Sequence, residues 1–253
     1  MPNPEGLCRL CLSHGPLSRE HVPPKGAYNS GRMLRSDAIE RLRDPGTEAG
    51  RILQNGNWFY SFCESCNNLL GRMYVPEYVL WAKHFMTEYR LWAPGIVPVS
   101  LHGVYPLRFL KQAVAMIFSV NPEAFTRGFC SLAGWIRDRD ANQWHWSQRV
   151  YLTLVDGPVG RGWPILHRGG SDPATFTEVA MAPFSVQMVL GEQRQDRPGN
   201  ITWFARHRFD ESVNLNVALP CGSLATAIPA DFRAKEEVDR AVAASELIRR
   251  GIR

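Results

Sequence analysis

Two Cys-x-x-Cys pairs, Cys8-Arg9-Leu10-Cys11 and Cys63-Glu64-Ser65-Cys66, constrain this chain more than any other feature. Such a turn lets two sulfurs reach one ion, and two turns complete a tetrahedral four-sulfur set. No strand–helix–strand pattern surrounds either pair, which argues against a thioredoxin-like redox site. An all-thiolate, closed, non-redox site suits zinc best. Arg9, Ser13, Glu64, Ser65 and Asn67 make the surroundings polar, unlike those of cysteines that are simply buried. A structural Zn2+ on Cys8, Cys11, Cys63 and Cys66 is therefore expected. His14 lies three residues after Cys11, but the sulfur set is already complete, so it is expected in solvent. Cys130 and Cys221 stand alone and are expected as small buried hydrophobes.

Composition narrows the class. At 253 residues, 45% hydrophobic and 21% charged, the chain is ordinary for a globular protein of one large domain or two smaller ones. A net charge of +5 leans mildly towards an anionic partner such as nucleic acid. Residues 1–75 carry nine Lys/Arg against seven Asp/Glu, so the excess is not concentrated there. The start of the chain has neither the basic region nor the apolar core of a signal peptide. The longest apolar run, Leu107–Val120, is interrupted by Arg108 and Lys111, so no membrane span is expected. A cytoplasmic location follows as the expectation, with thiols reduced rather than paired.

Between the cysteine pairs, Leu17–His21 reads as extended, and Pro23-Pro24 stops regular structure. Met33–Arg43 is expected to hold a short helix. Residues 51–53 and 58–62 are expected as two short strands joined at the hairpin dipeptide Asn55-Gly56. After Cys63 the pattern is helical, broken near Pro76, with a second helix over Glu77–Leu91. Further on, Leu107–Phe118 reads as a helix. Period-two alternation predicts strands at Val150–Val155, Phe184–Leu190, Ile201–Phe209 and Val213–Leu219, with Asp210–Ser212 joining the last two as a hairpin. His207 is expected as a core histidine on its strand. Trp144-His145-Trp146 is expected to help close the core beside Val150, with base stacking as the other reading. Glu236–Arg250 closes the chain as a helix.

Inside this frame, Cys-x-x-Cys, then Glu20-His21-Val22-Pro23, then Cys-x-x-Cys-Asn67 resembles the zinc-stabilised branch of the HNH endonuclease family, over about residues 8–72. The resemblance implies a treble-clef, ββα-metal module held by four cysteines and a zinc. It implies His21 as general base, with Glu20 and Asn67 as ligands of a catalytic Mg2+ or Mn2+, and Asn68 as the alternative to Asn67. A carboxylate and an amide oxygen are hard ligands suited to Mg2+, and a neutral imidazole can act as base near neutrality. Lys25, four residues beyond His21, is the candidate substrate contact. The family more often carries Asp or His where Glu20 stands. It also carries a bracing Asn before the second pair, for which Asn55 and Asn57 both lie near.

The expected fold class is α+β. Residues 1–75 form the HNH-like nuclease module, residues 76–96 a linking helix, and residues 97–253 an α+β domain with an antiparallel sheet and flanking helices, serving recognition, sensing or dimerisation. The expected function is metal-dependent hydrolysis of phosphodiester bonds in nucleic acid, DNA foremost, in a defence or restriction setting. A homodimer would suit double-strand cleavage by a one-site nuclease. The rival expectation is a zinc-bound nucleic-acid-binding or scaffold protein that does not cut.

Overall fold

The computed structural model describes residues 3–36, 50–88, 95–168, 174–191, 197–234, 236–241 and 243. The fold is mixed α+β, with mainly antiparallel sheets. Strand β1 (Glu5–Leu7) leads into the first cysteine turn and then β2 (His14–His21). Strands β3 (Met33–Ser36) and β4 (Gly50–Leu53) pair with each other. Strand β5 (Trp58–Cys63) returns to β2, giving a three-stranded sheet of order β1-β2-β5. Helix α1 (Glu64–Met73) follows without a linker, and α2 (Val75–Glu88) begins after Tyr74. Pro76 sits in the first turn of α2, where a missing N–H costs nothing, so it divides two helices as expected.

Two local expectations need correction here. Residues 33–36 of the expected Met33–Arg43 helix are strand, paired with residues 50–53; residues 37–43 lie outside the described residues. The Asn55-Gly56 turn exists, with Gly56 at φ +78°, but it is no hairpin. Its flanking strands β4 and β5 pair with β3 and β2 instead of each other.

The second sheet has six strands: β6 (Gly95–Val104), β7 (Arg149–Asp156), β8 (Arg161–Arg168), β9 (Ala174–Met181), β10 (Phe184–Leu190) and β11 (Val213–Ser223). Their spatial order is β6-β11-β7-β10-β9-β8. Every neighbouring pair is antiparallel except β11 and β7. Both edge strands contain a proline, Pro98 in β6 and Pro164 in β8. An edge tolerates a residue that cannot donate to the ladder.

Helix α3 (Pro106–Val120) is the centre of the core, buried at every position but Arg108. A helix apolar on all sides must be enclosed on all sides. Trp81 of α2 stacks on Phe109 at 4.1 Å between centroids, and Tyr78 stacks on the same ring at 5.2 Å. Short helices α4 (Glu123–Gly128) and α5 (Cys130–Arg137) pack beside it. One apolar cluster runs from Cys8 through Trp81 and Phe109 to Leu219. The helix expected as a link over residues 76–96 is seen over Val75–Glu88, and its inner face, with Tyr78, Trp81 and Phe85, packs into this same cluster; residues 89–94 lie outside the described residues.

The expected strand at Ile201–Phe209 is instead a 3-10 turn over Thr202–Arg206. Ile201, Phe204 and Ala205 are buried while Trp203 and Arg206 face out, a near three-residue period that mimics alternation. Asp210–Ser212 therefore joins a turn to β11 and makes no hairpin. Half-buried His207 donates from Nδ1 to Glu211 Oε1 at 2.9 Å rather than sitting in a core strand. Cys130 is exposed and Cys221 only half-buried, which corrects their expected burial. The closing helix is seen at residues 236–241 and 243, and its remainder lies outside the described residues. No described helix is long and apolar enough to cross a membrane.

Candidate metal centre and the His21 site

The cysteines converge because two strand ends meet one helix start. Cys8 and Cys11 flank a tight turn in which the Cys8 N–H donates to Ser13 O and the Leu12 N–H to Cys8 O. Leu12 adopts φ +61° to close it. Cys63 ends β5 and caps α1; Cys66 lies in the first turn of that helix. All four sulfurs fall within 4.8 Å of one another. Cys11 Sγ lies 3.8 Å from Cys63 Sγ. An ion with sulfurs at about 2.3 Å in a tetrahedron has sulfur–sulfur edges of about 3.8 Å. The set could therefore hold a metal ion such as zinc. The Cys66 thiol, and after it the backbone N–H groups of Cys63, Cys11 and Leu10, draw the Cys8 thiol well below its ordinary range, which favours the thiolate a metal needs.

The whole centre is mounted on α3. Arg9 Nη1 donates to Ser119 O at 2.6 Å, near the C-terminal end of that helix. Thr126 Oγ1 donates back to Arg9 O at 2.5 Å, and Ser61 and Ser119 share a buried hydroxyl hydrogen bond at 2.7 Å.

Strand β2 carries Glu20 and His21, and its geometry is not a simple alternation. The β2–β5 register shifts between Ser18 and Arg19. Regular alternation would put Leu17 and Arg19 on one face; the bulge brings Leu17 and Glu20 inward instead. Glu20 is 4% exposed. Among the described residues its carboxylate has no hydrogen-bond partner. Burial alone pushes its pKa up to about 8.

His21 is half-buried at the end of the strand. Its Nε2 lies 3.0 Å from the Asn55 carbonyl oxygen. A carbonyl only accepts, so Nε2 carries the proton and Nδ1 has the free lone pair. Burial lowers the pKa of His21; the Asn55 carbonyl opposes this, and nearby Lys25 and Arg19 reinforce it. The ring is thus neutral and competent as a base.

Asn67 projects from α1 to β2. Its Nδ2 donates to Ser18 Oγ at 2.9 Å and to Arg19 O at 3.0 Å, on either side of the bulge. Both amide hydrogens are committed, which leaves Oδ1 as the atom able to accept or ligate. Asn68 is exposed and makes no bond to β2; its backbone carbonyl accepts from Arg72. Asn67, not Asn68, therefore faces the strand. Lys25 is exposed near His21, as is Arg19, whose guanidinium lies 4.6 Å above the Trp58 ring.

Two further residues hold this loop, and one was not legible in the sequence. Asn57 Nδ2 donates to Val22 O at 3.2 Å, and the Val22 N–H donates to Asn57 O at 3.1 Å. Asn57 rather than Asn55 thus braces the backbone beside His21 by its side chain; Asn55 contributes its carbonyl. Asn29 is fully buried and closes the lock. Its Nδ2 donates to Pro23 O at 2.6 Å and Asn57 O at 2.8 Å, while its Oδ1 accepts from the Asn57 N–H at 2.6 Å. A Cβ on Gly56 would stand 2.1 Å from Asn29 O, so the close approach requires glycine there. Nothing near Asn29 in Pro24-Lys25-Gly26-Ala27-Tyr28 announced this role, which depends on a partner 28 residues away.

No protein-family model, no curated protein and no solved structure matches this chain, so the site stands on its own geometry.

Proposed function

We propose that this protein is a metal-dependent endonuclease of the HNH type, hydrolysing phosphodiester bonds of nucleic acid, DNA foremost, with Zn2+ on the four cysteines as a structural ion. The observation that carries the reading is a backbone-held histidine directly after a buried carboxylate that has no hydrogen-bond partner among the described residues. The donor types, a carboxylate and an amide oxygen, suit a hard divalent cation. Glu20 offers a carboxylate that a cation would satisfy in place of its proton, and Asn67 offers Oδ1. When bound, Mg2+ or Mn2+ supplies charge neutralisation at the phosphate and at the departing oxygen.

The chain's own residues do the rest. His21 Nδ1 accepts the proton of the attacking water, because Nε2–H is fixed on Asn55. Asn57 and Asn29 keep that carbonyl from drifting by locking residues 55–57 to the Val22–Asn29 loop. Asn67 holds β2 at its bulge, so that Glu20 and His21 keep their opposed settings. Lys25 and Arg19 place positive charge beside His21, where a phosphate would lie.

The test is cleavage of plasmid DNA, single-stranded DNA and RNA in Mg2+ or Mn2+, with His21→Ala and Glu20→Gln alongside. Removing a general base costs about 100- to 10,000-fold in rate, and both variants are expected to fall at least that far while keeping their zinc. Cleavage that survives His21→Ala removes that residue from the mechanism. A native protein that cuts none of these substrates leaves the four-cysteine module as a non-catalytic scaffold.

A further inference from the structure

The large sheet opens at its middle. Strands β7 and β11 pair in parallel over only three positions, Leu154–Cys221, Val155–Gly222 and Asp156–Ser223. Upstream β11 turns away to pair with β6. Residues 199–202 take the vacated edge of β7. The Leu152 N–H donates to Gly199 O at 2.8 Å, the Ile201 N–H to Val150 O at 2.9 Å, and the Val150 N–H to Thr202 Oγ1 at 2.8 Å. Gly199, at φ +82°, would place a Cβ 2.4 Å from Leu152 O, so only glycine permits this insertion. A cleft of about 1140 Å3 results between segments 144–149, 197–206 and 216–219.

Its walls have one chemical character. Arg149, Arg197, Arg206 and His145 line it with Trp146 and Trp203, and no Asp or Glu is among its described lining residues. Arg149 Nη1 is fixed by the carbonyls of Trp146, Ser147 and Gln148 at 3.1–3.2 Å. The Trp146 indole is fixed too, donating to Ser131 Oγ at 3.0 Å. Trp203 is different: it is 37% exposed, with its ring edge-on to Phe204. Arg206 is exposed and has no hydrogen-bond partner among the described residues.

We propose that this cleft binds an unpaired nucleobase together with its phosphate. Indole faces stack bases of any identity, guanidinium groups match phosphate oxygens, and the cationic described lining favours an anionic ligand. The volume accommodates one or two nucleotides, near the upper end for ligand cavities. The same chemistry is offered by a free nucleotide or by a single strand. The inference concerns binding only and stands whether or not the His21 site cuts.

The experiment uses the full-length His21→Ala protein, so that no probe is consumed. Binding of a short labelled single strand is measured by fluorescence anisotropy, with dAMP, inorganic phosphate and duplex DNA as competitors, and tryptophan emission is followed in parallel. Trp203→Ala and Arg206→Ala lie on exposed side chains, and circular dichroism and zinc content confirm that each folds. Each is expected to weaken single-strand binding by about 5- to 20-fold. Trp203→Phe is expected to retain most of the affinity, and Arg206→Ala to reduce the salt slope by about one. Competition by dAMP at strand-like concentrations identifies a free nucleotide as the source; competition by the strand alone identifies unpaired nucleic acid. Unchanged affinity in both alanine variants, or displacement by inorganic phosphate as effective as by dAMP, overturns the proposal.

Discussion

At the scale of single residues, the molecule holds two ionisable groups in opposite kinds of burial. Glu20 has no hydrogen-bond partner among the described residues, and burial raises its pKa to about 8. Lys111, in the middle of α3, is fully buried but satisfied: Nζ donates to Asp138 O at 2.5 Å and lies 4.7 Å from the Trp135 ring. Burial still lowers its pKa from its ordinary 10.5 to about 8, against the pull of Asp138 and Asp140. Below pH 8 Lys111 is charged in both folded and unfolded chains. Between pH 8 and 10.5 the unfolded chain holds the extra proton, so this group makes stability rise with pH. The contribution amounts to at most about 3 kcal/mol at 1.36 kcal/mol per unit. Urea unfolding of the native protein and Lys111→Met across pH 7–10 should show the native protein gaining stability relative to the variant as pH rises; a constant difference would mean that Lys111 is not desolvated as described.

At the scale of elements, the decisive pieces are the bulge in β2 and the start of α1. A residue inserted into a strand exchanges its faces, and that single irregularity is what turns Glu20 inward beside an outward Arg19. Helix α1 begins at Cys63 with no side-chain cap on its first N–H groups. Its two cysteines sit where a cap would be, so an ion on the four sulfurs would tie the helix start to the Cys8–Cys11 turn. Metal removal should therefore act on structure before chemistry. Exhaustive chelation, or Cys63→Ser, is expected to lower the thermal midpoint by roughly 10 °C or more, since structural zinc contributes several kcal/mol. Zinc analysis is expected to give about one ion per chain. A protein that loses its zinc with no change in midpoint would show that the cysteines do not hold this helix.

At the scale of the whole molecule, the expected nuclease module does not have a core of its own. Cys8, Leu10, Phe62, Cys66 and Leu70 belong to the same apolar cluster as α3 and the large sheet; Arg9 and Ser61 tie the turn and β5 to Ser119 at the end of α3, and Thr126 of α4 ties to Arg9. A fragment ending at residue 75 would expose that contact face, so it is expected to be insoluble or to lack a cooperative transition even with zinc, while the full chain unfolds in one. A soluble, cooperatively folding fragment would restore the picture of an independent module.

By itself the sequence determined what local chemistry determines. Four cysteines at paired spacing pointed to one shared site, and their sulfurs meet there. The alternation at residues 150–155, 184–190 and 213–219 and the apolar run after Tyr105 each produced the element expected of them. Tertiary structure decided the rest. The buried pair of Arg161 and Glu178, 3.0 Å apart inside the sheet, put charges where alternation demands apolar residues and hid β8 and β9. The 3-10 turn at residues 202–206 borrowed an alternating pattern from a three-residue period. The division of labour among the side chains of Asn29, Asn57 and Asn67 was set by which backbone carbonyls lay within 3.2 Å once the loops had closed. A side-chain amide can donate and accept in almost any direction, so its sequence position specifies no partner; only the folded backbone does.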